Sequence, residues 1–214
     1  MLTEKCSKDC DHCLFECKPT GKIMTEHTFL NTLNVMSDLE LLHIIGGEIS
    51  EMRDINKYID ILIQQSKQIG NVNFVTNGLF IYNNTRQKRF LNALNRLQQY
   101  LNIEAVTVGV SKGNYHYDAG KASEVIKQYG LTPYIHNYYY EPLPIGRGRF
   151  LYDDLDNFRE SSTYINIYPP CIENILKESD IQTYLEDVKG LVVPSGDIYL
   201  CENGGVKIGN VNTG

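Results

Sequence analysis

The stretch Leu2-Thr3-Glu4-Lys5-Cys6-Ser7-Lys8-Asp9-Cys10-Asp11-His12-Cys13 decides how this chain is read. Cys6, Cys10 and Cys13 stand at C-x3-C-x2-C spacing. Three thiolates so placed can surround one soft metal centre and leave a fourth coordination position free for a substrate or cofactor. Thiolates suit iron–sulfur clusters and zinc alike, so ligand type alone leaves both open. The apolar-rich start Leu2-Thr3 reads as a short strand, about Met1–Thr3, running into the cysteine loop.

Moving outward, the signals alternate between helix and strand. Phe29, Leu33 and Met36 share one face of a helix over Thr25–Ser37, and Leu39–Ile45 follows as a strand expected to be buried on both sides. Gly46-Gly47-Glu48 comes next, then Ser50 as a cap for a helix whose face is Ile55, Ile59 and Leu62, with Gly70 closing it. Val72–Thr76 is the third strand and ends at Asn77-Gly78. Phe90, Leu94, Leu97 and Leu101 mark the clearest amphipathic helix, and Ala105–Val110 is the fourth strand, followed by Ser111. Ala122, Val125, Ile126 and Tyr129 give a further helix stopped by Gly130, before a fifth strand over Thr132–Tyr138. Such alternation predicts an α/β fold of parallel βα units with right-handed crossovers. Active sites in these folds collect at the carboxyl ends of the strands. The cysteines, Gly46–Glu48, Asn77 and Ser111 all fall at such ends.

Cys6-x3-Cys10-x2-Cys13, Gly46-Gly47-Glu48 and Thr76-Asn77-Gly78, three pieces in this order, resemble the radical S-adenosylmethionine (radical SAM) family. The resemblance implies a partial (β/α)6 TIM-like barrel over residues 1–160. It implies that Cys6, Cys10 and Cys13 hold a [4Fe–4S] cluster whose fourth iron binds S-adenosyl-L-methionine (SAM). Gly46, Gly47 and Glu48 are then expected to meet the methionine amino group, with His12 near the adenine and Asn77 and Ser111 at ribose or carboxylate. Reductive cleavage of SAM would give a 5′-deoxyadenosyl radical that abstracts hydrogen from a substrate. An electron donor such as flavodoxin or ferredoxin is the implied partner.

Beyond Tyr140 the pattern changes. Pro144-Ile145-Gly146-Arg147 resembles a P-x-G-R segment near the end of the barrel in one branch of the family, and Arg147 becomes a candidate for a carboxylate of SAM or substrate. It arrives after five predicted strands where the family has six; Tyr164–Ile167 is the candidate sixth. Leu191–Cys201 reads as a β-hairpin turning at Ser195-Gly196. With Gly196-x4-Cys201 and Gly209-Asn210, it resembles the start of an auxiliary-cluster extension of the SPASM or twitch type. Residues 161–214 are read as an incomplete extension of this kind, since a four-thiolate site needs more cysteines than follow Cys201. Cys171 and Cys201 are candidate ligands of a second iron–sulfur cluster, against the alternative of isolated core cysteines. Cys17 is read as a free or buried thiol.

Composition narrows the classes. Of 214 residues, 42% are apolar, which is enough for a packed core. The net charge of −6 and the lack of a strongly basic run count against a nucleic acid gripped through its phosphates. No apolar stretch reaches membrane-spanning length and no signal segment is present, so a cytoplasmic protein without membrane contact is expected. Six cysteines then point to metal more than to disulfides. The branch resemblance makes a ribosomally made peptide or protein the expected substrate, with a small molecule or nucleotide as the alternative. Outside enzymes, an iron–sulfur electron-transfer protein with Cys17 as fourth ligand and a zinc-stabilised binding module are the competing readings. His116 and His136 carry no assigned role, and Tyr138-Tyr139-Tyr140 is read as strand packing.

Overall fold

Thr25 accepts a hydrogen bond from the Thr28 amide and so starts α1, Glu26–Asn34. Asn83 and Asp118 do the same for α3, Asn84–Gln98, and α4, Ala119–Gln128. The computed structural model from which these contacts come describes residues 1–11, 13, 15–36, 38–102, 104–112, 118–137, 190–199 and 207–213. The remaining helix, α2, spans Ile55–Gln64. Here Asp54 occupies the cap position without a side-chain bond. Ser50, expected as the cap, instead lies inside a short 3-10 turn, Ile49–Glu51, which Glu48 caps. Serine next to a helix start is an ambiguous local signal, and the carboxylate two residues earlier takes the exposed amide first.

Four strands form a parallel sheet in the order β1 (Leu39–Ile44), β2 (Ile69–Thr76), β3 (Val106–Lys112) and β4 (Thr132–Asn137). Helices α2, α3 and α4 connect successive strands, so the chain advances by one βαβ unit at a time. Register is continuous across the sheet, with Phe74 opposite Ile44 and Val108, and Val110 opposite Thr76 and Ile135. The expected first strand shrinks to a parallel bridge between Thr3 and Gly46. It is supported by Leu2 N–H donating to the Ile45 carbonyl at 2.8 Å. Gly70 does not close α2; it is the second residue of β2, and a 3-10 turn over Ser66–Gln68 ends the helical segment. A Cβ at Gly70 would come within 2.8 Å of the Glu40 carbonyl, so the glycine serves strand pairing.

The sheet's two faces differ. Val72, Phe74, Val106, Val108 and Val110 are fully buried and share one hydrophobic core with Phe29 and Leu33 of α1, Ile55, Ile59 and Leu62 of α2, Phe90, Leu94 and Leu97 of α3, and Ala122 and Ile126 of α4. Full burial of such side chains stabilises by roughly 1.5–3 kcal/mol each relative to exposure. Alternate residues face the other way, and several of them are polar. Asn73, 2% exposed, approaches His43 Nδ1 at 3.0 Å, donates to the Tyr134 hydroxyl at 2.6 Å, and accepts the Thr107 hydroxyl at 3.1 Å. β1 is not buried on both sides as its apolar run predicts: Leu41 is 47% exposed, and Glu40 and His43 are exposed too. It forms the edge of the four-stranded sheet, and the amino-terminal segment reaches only its carboxyl end.

A second, antiparallel sheet joins β5 (Leu191–Val192), β6 (Asp197–Tyr199) and β7 (Lys207–Asn210). Gly196, at φ +88°, makes the expected turn between β5 and β6. The third strand, β7, goes beyond the predicted hairpin. Val192 and Val211 enter the main core, and Asn31 of α1 donates to Asn212 at 3.3 Å. The candidate strand Tyr164–Ile167 and Tyr138–Tyr140 lie outside the described residues. Among the described residues, no helix is long and apolar enough to cross a membrane.

Candidate functional site

Gly46–Glu48, Asn77 and Ser111 lie at or just beyond the carboxyl ends of the parallel strands, and the segment leading to Cys6 meets them there. Cys6 begins a loop whose two ends are stitched together. Cys6 N–H donates to the Lys18 carbonyl at 3.0 Å, and Lys18 N–H returns to Glu4 at 3.1 Å. Inside the loop, successive turns are closed by Cys13 N–H on the Cys10 carbonyl and Glu16 N–H on the Cys13 carbonyl. Asp9 and Glu16 take positive φ to make these turns. Among the described residues, Cys6, Cys10, Cys13 and Cys17 form no disulfide; Cys6 and Cys17 are buried, Cys10 and Cys13 half-buried.

Gly46 and Gly47 pack directly against the root of this loop. Gly47 N–H donates to the Thr3 carbonyl at 2.6 Å, and Glu48 N–H to the Lys5 carbonyl at 2.9 Å. A Cβ on Gly46 would fall 2.1 Å from the Thr3 carbonyl oxygen, and one on Gly47 2.1 Å from that of Lys5. Both positions therefore exclude every side chain, and Gly46 also has φ +151°. The close approach that the glycines permit is thus to the cysteine-bearing segment itself.

Glu48 turns inward. Its side chain is wholly buried, at 0% exposure. Oε1 accepts the Thr76 hydroxyl at 2.6 Å and the Ser50 amide at 3.0 Å, while Oε2 accepts the Asn77 amide at 2.8 Å. Burial pushes its pKa up, and these hydrogen bonds pull the other way. Its oxygens bind the ends of β1 and β2 together. Asn77 follows β2, half-buried, with its side-chain oxygen accepting the Leu79 amide at 2.8 Å in an Asx turn. Ser111 is buried inside β3, one residue beyond the Val110–Thr76 pair, and caps no helix. His12, Arg147, Cys171 and Cys201 lie outside the described residues.

Burial also pushes the Cys6 thiol up to about 11, against the pull of backbone amides of Lys8 and Asp9. Cys17 is raised first by its hydrogen bond with Cys13 and then by burial. The Cys17 amide donates to Cys13 Sγ at 3.3 Å. Amides aimed at sulfur are the donors that stabilise thiolates of a metal centre. Among the described residues, no three His, Cys, Asp or Glu side chains converge tightly enough for a single metal ion. Three cysteine thiolates are a ligand type that an iron–sulfur cluster also takes.

Two contacts carried no signal in the sequence: Thr76, within the Thr76-Asn77-Gly78 piece, as the partner of Glu48, and Glu51, outside the three pieces, as the residue that holds Ser7. Each acts across more than twenty residues of chain. Two open depressions among the described residues lie elsewhere. Their linings include Leu39, Ile69 and Thr132, the first residues of β1, β2 and β4, at the opposite end of the sheet. No protein-family model and no curated protein matches this chain.

Proposed function

We propose that the chain is a radical SAM enzyme built on a partial (β/α) barrel. The observation that carries this reading is the seating of Gly46-Gly47-Glu48 on residues Thr3–Lys5, immediately before the three-cysteine loop. The glycine turn and the root of the cysteine loop thus share one end of one parallel sheet, which supports a common site there. The parallel strands stand in chain order, with Thr3 bridging to Gly46 beyond β1, and this order supports a barrel opened along one side.

In this reading Cys6, Cys10 and Cys13 hold a [4Fe–4S] cluster. With SAM bound, that group supplies one-electron reductive cleavage and hydrogen abstraction from a substrate. The protein's own part is to hold and orient. Backbone at Gly46-Gly47 meets the methionine end of SAM, and Glu48 keeps that turn rigid through Thr76 and Asn77. Asn77 and Ser111 lie in line across β2 and β3 for the ribose or carboxylate. The polar face around Asn73, His43, Thr107 and Tyr134 offers donors and acceptors to a peptide or small-molecule substrate.

The test is anaerobic reconstitution with iron and sulfide, reduction with dithionite, and measurement of 5′-deoxyadenosine formed from SAM. Formation in the wild type and loss in the Cys6→Ala/Cys10→Ala/Cys13→Ala variant supports the reading. A loaded cluster that neither binds nor cleaves SAM would sink it.

One contact favours a second reading, an electron-transfer protein with four thiolates. Cys17 lies beside Cys13, its amide 3.3 Å from the Cys13 sulfur. Its own Sγ, however, lies 3.9 Å from the Phe15 carbonyl and is buried.

A further inference from the structure

Glu51 belongs to neither motif, yet three segments meet at its carboxylate. It ends the 3-10 turn that follows Gly46-Gly47-Glu48. Oε2 accepts the Ser7 amide at 3.1 Å, and Oε1 accepts the Ser7 hydroxyl. Arg86, in the first turns of α3, reaches Oε1 with Nη1 at 3.3 Å. The Glu51 side chain is 8% exposed, whereas Ser7 is at the surface.

A carboxylate that captures both the N–H and the O–H of one residue fixes that residue's position and its orientation together. The residue so captured directly follows Cys6. The residues before Cys6 are held by the same segment, through Gly47 N–H on Thr3 and Glu48 N–H on Lys5. Cys6 is thus clamped from both sides by residues 46–51: by backbone upstream and by the Glu51 side chain downstream. A buried carboxylate needs compensation, and Arg86 provides it while tying the clamp to α3.

We infer that Glu51 is a positioning residue for the metal-binding loop, fixing the direction in which the chain leaves Cys6. The inference rests on reading that loop as the site of an iron–sulfur cluster. Glu51 touches neither cluster nor substrate in this role; it acts through Ser7.

The experiment uses the full chain as wild type, Glu51→Ala and Ser7→Ala. Each is reconstituted anaerobically with iron and sulfide and desalted. Iron per chain, the electron paramagnetic resonance spectrum of the dithionite-reduced sample, and circular dichroism are then measured. The expected result is several-fold lower iron retention in Glu51→Ala and a smaller loss in Ser7→Ala. The residual cluster signal should also change shape in both, a change that general loss of folded protein does not produce. Ser7 is exposed, so its variant decides the matter if Glu51→Ala loses its dichroism signal. Wild-type iron content and an unchanged spectrum in Ser7→Ala would overturn the inference while leaving the cluster reading intact. A wild type that takes up no iron and sulfide would overturn the cluster reading, and the inference with it.

Discussion

The Glu48 carboxylate accepts the Thr76 hydroxyl at 2.6 Å, and this bond ties the carboxyl end of β1 to that of β2 inside the protein. Its oxygens also accept the amides of Ser50 and Asn77, and among the described residues none of its bonded partners is a cation. Thr76→Val removes one donor and leaves the carboxylate buried. A cost of about 1–3 kcal/mol is expected, read as a lower urea midpoint with an unchanged slope.

Stability should depend on pH through the same group. Burial raises the Glu48 pKa above its ordinary 4.5, so the folded state holds this proton more tightly than the unfolded chain. The contribution is fully present below 4.5 and is lost as pH rises through the folded value. Relative to wild type, Glu48→Gln should therefore lose this pH dependence. Its amide nitrogen must also face a donor, which lowers stability at acidic pH. Urea unfolding of both proteins across pH 4–8 tests this; parallel curves would refute it.

Gly46→Ala and Gly47→Ala place a Cβ against backbone carbonyls at 2.1 Å, which no rotamer can relieve. Each is expected to cost on the order of 3 kcal/mol or more and to release the amino-terminal segment. Hydrogen exchange should show lost protection at the Gly47 and Glu48 amides, with the amides of β3 retained.

Cys17→Ala separates the two iron–sulfur readings. With three ligands from Cys6, Cys10 and Cys13, iron content after reconstitution should stay within experimental error of wild type, and SAM should still bind. Loss of the cluster in this variant would instead assign Cys17 as a fourth ligand.

The second sheet offers a separate check. Lys207 first, then Asn210 and Ser195, hold the Asp197 carboxylate down to about 2 from an ordinary 3.8. Its stabilising effect is present above 3.8 and is lost as pH falls through 2. Carboxyl NMR titration should find that low midpoint in wild type and a rise in Lys207→Ala.

Much of the α/β order was legible residue by residue. The faces Phe29–Leu33, Ile55–Ile59–Leu62 and Phe90–Leu94–Leu97 are buried as their spacing implies, because helical periodicity is a local property. β2 and β3 were also found within a few residues. Single residues at boundaries were less legible: Ser50 and Gly70 fit a cap and a stop equally well as they fit a turn and a strand. The strand rather than the helix won at Gly70 because pairing with β1 begins at Ile69. The burial of β1 depended on whether a neighbour lay along its full edge, which its own composition does not encode.

The candidate site divides in the same way. The spacing of Cys6, Cys10 and Cys13, the paired glycines at 46–47 and the strand-end position of Asn77 are written in the order of residues. That Gly46-Gly47 admits the backbone of Thr3 and Lys5, that Glu48 faces Thr76, and that Glu51 grips Ser7 emerged only from the fold. These partners lie tens of residues apart along the chain. They meet because parallel pairing brings every strand's carboxyl end to the same side of the sheet.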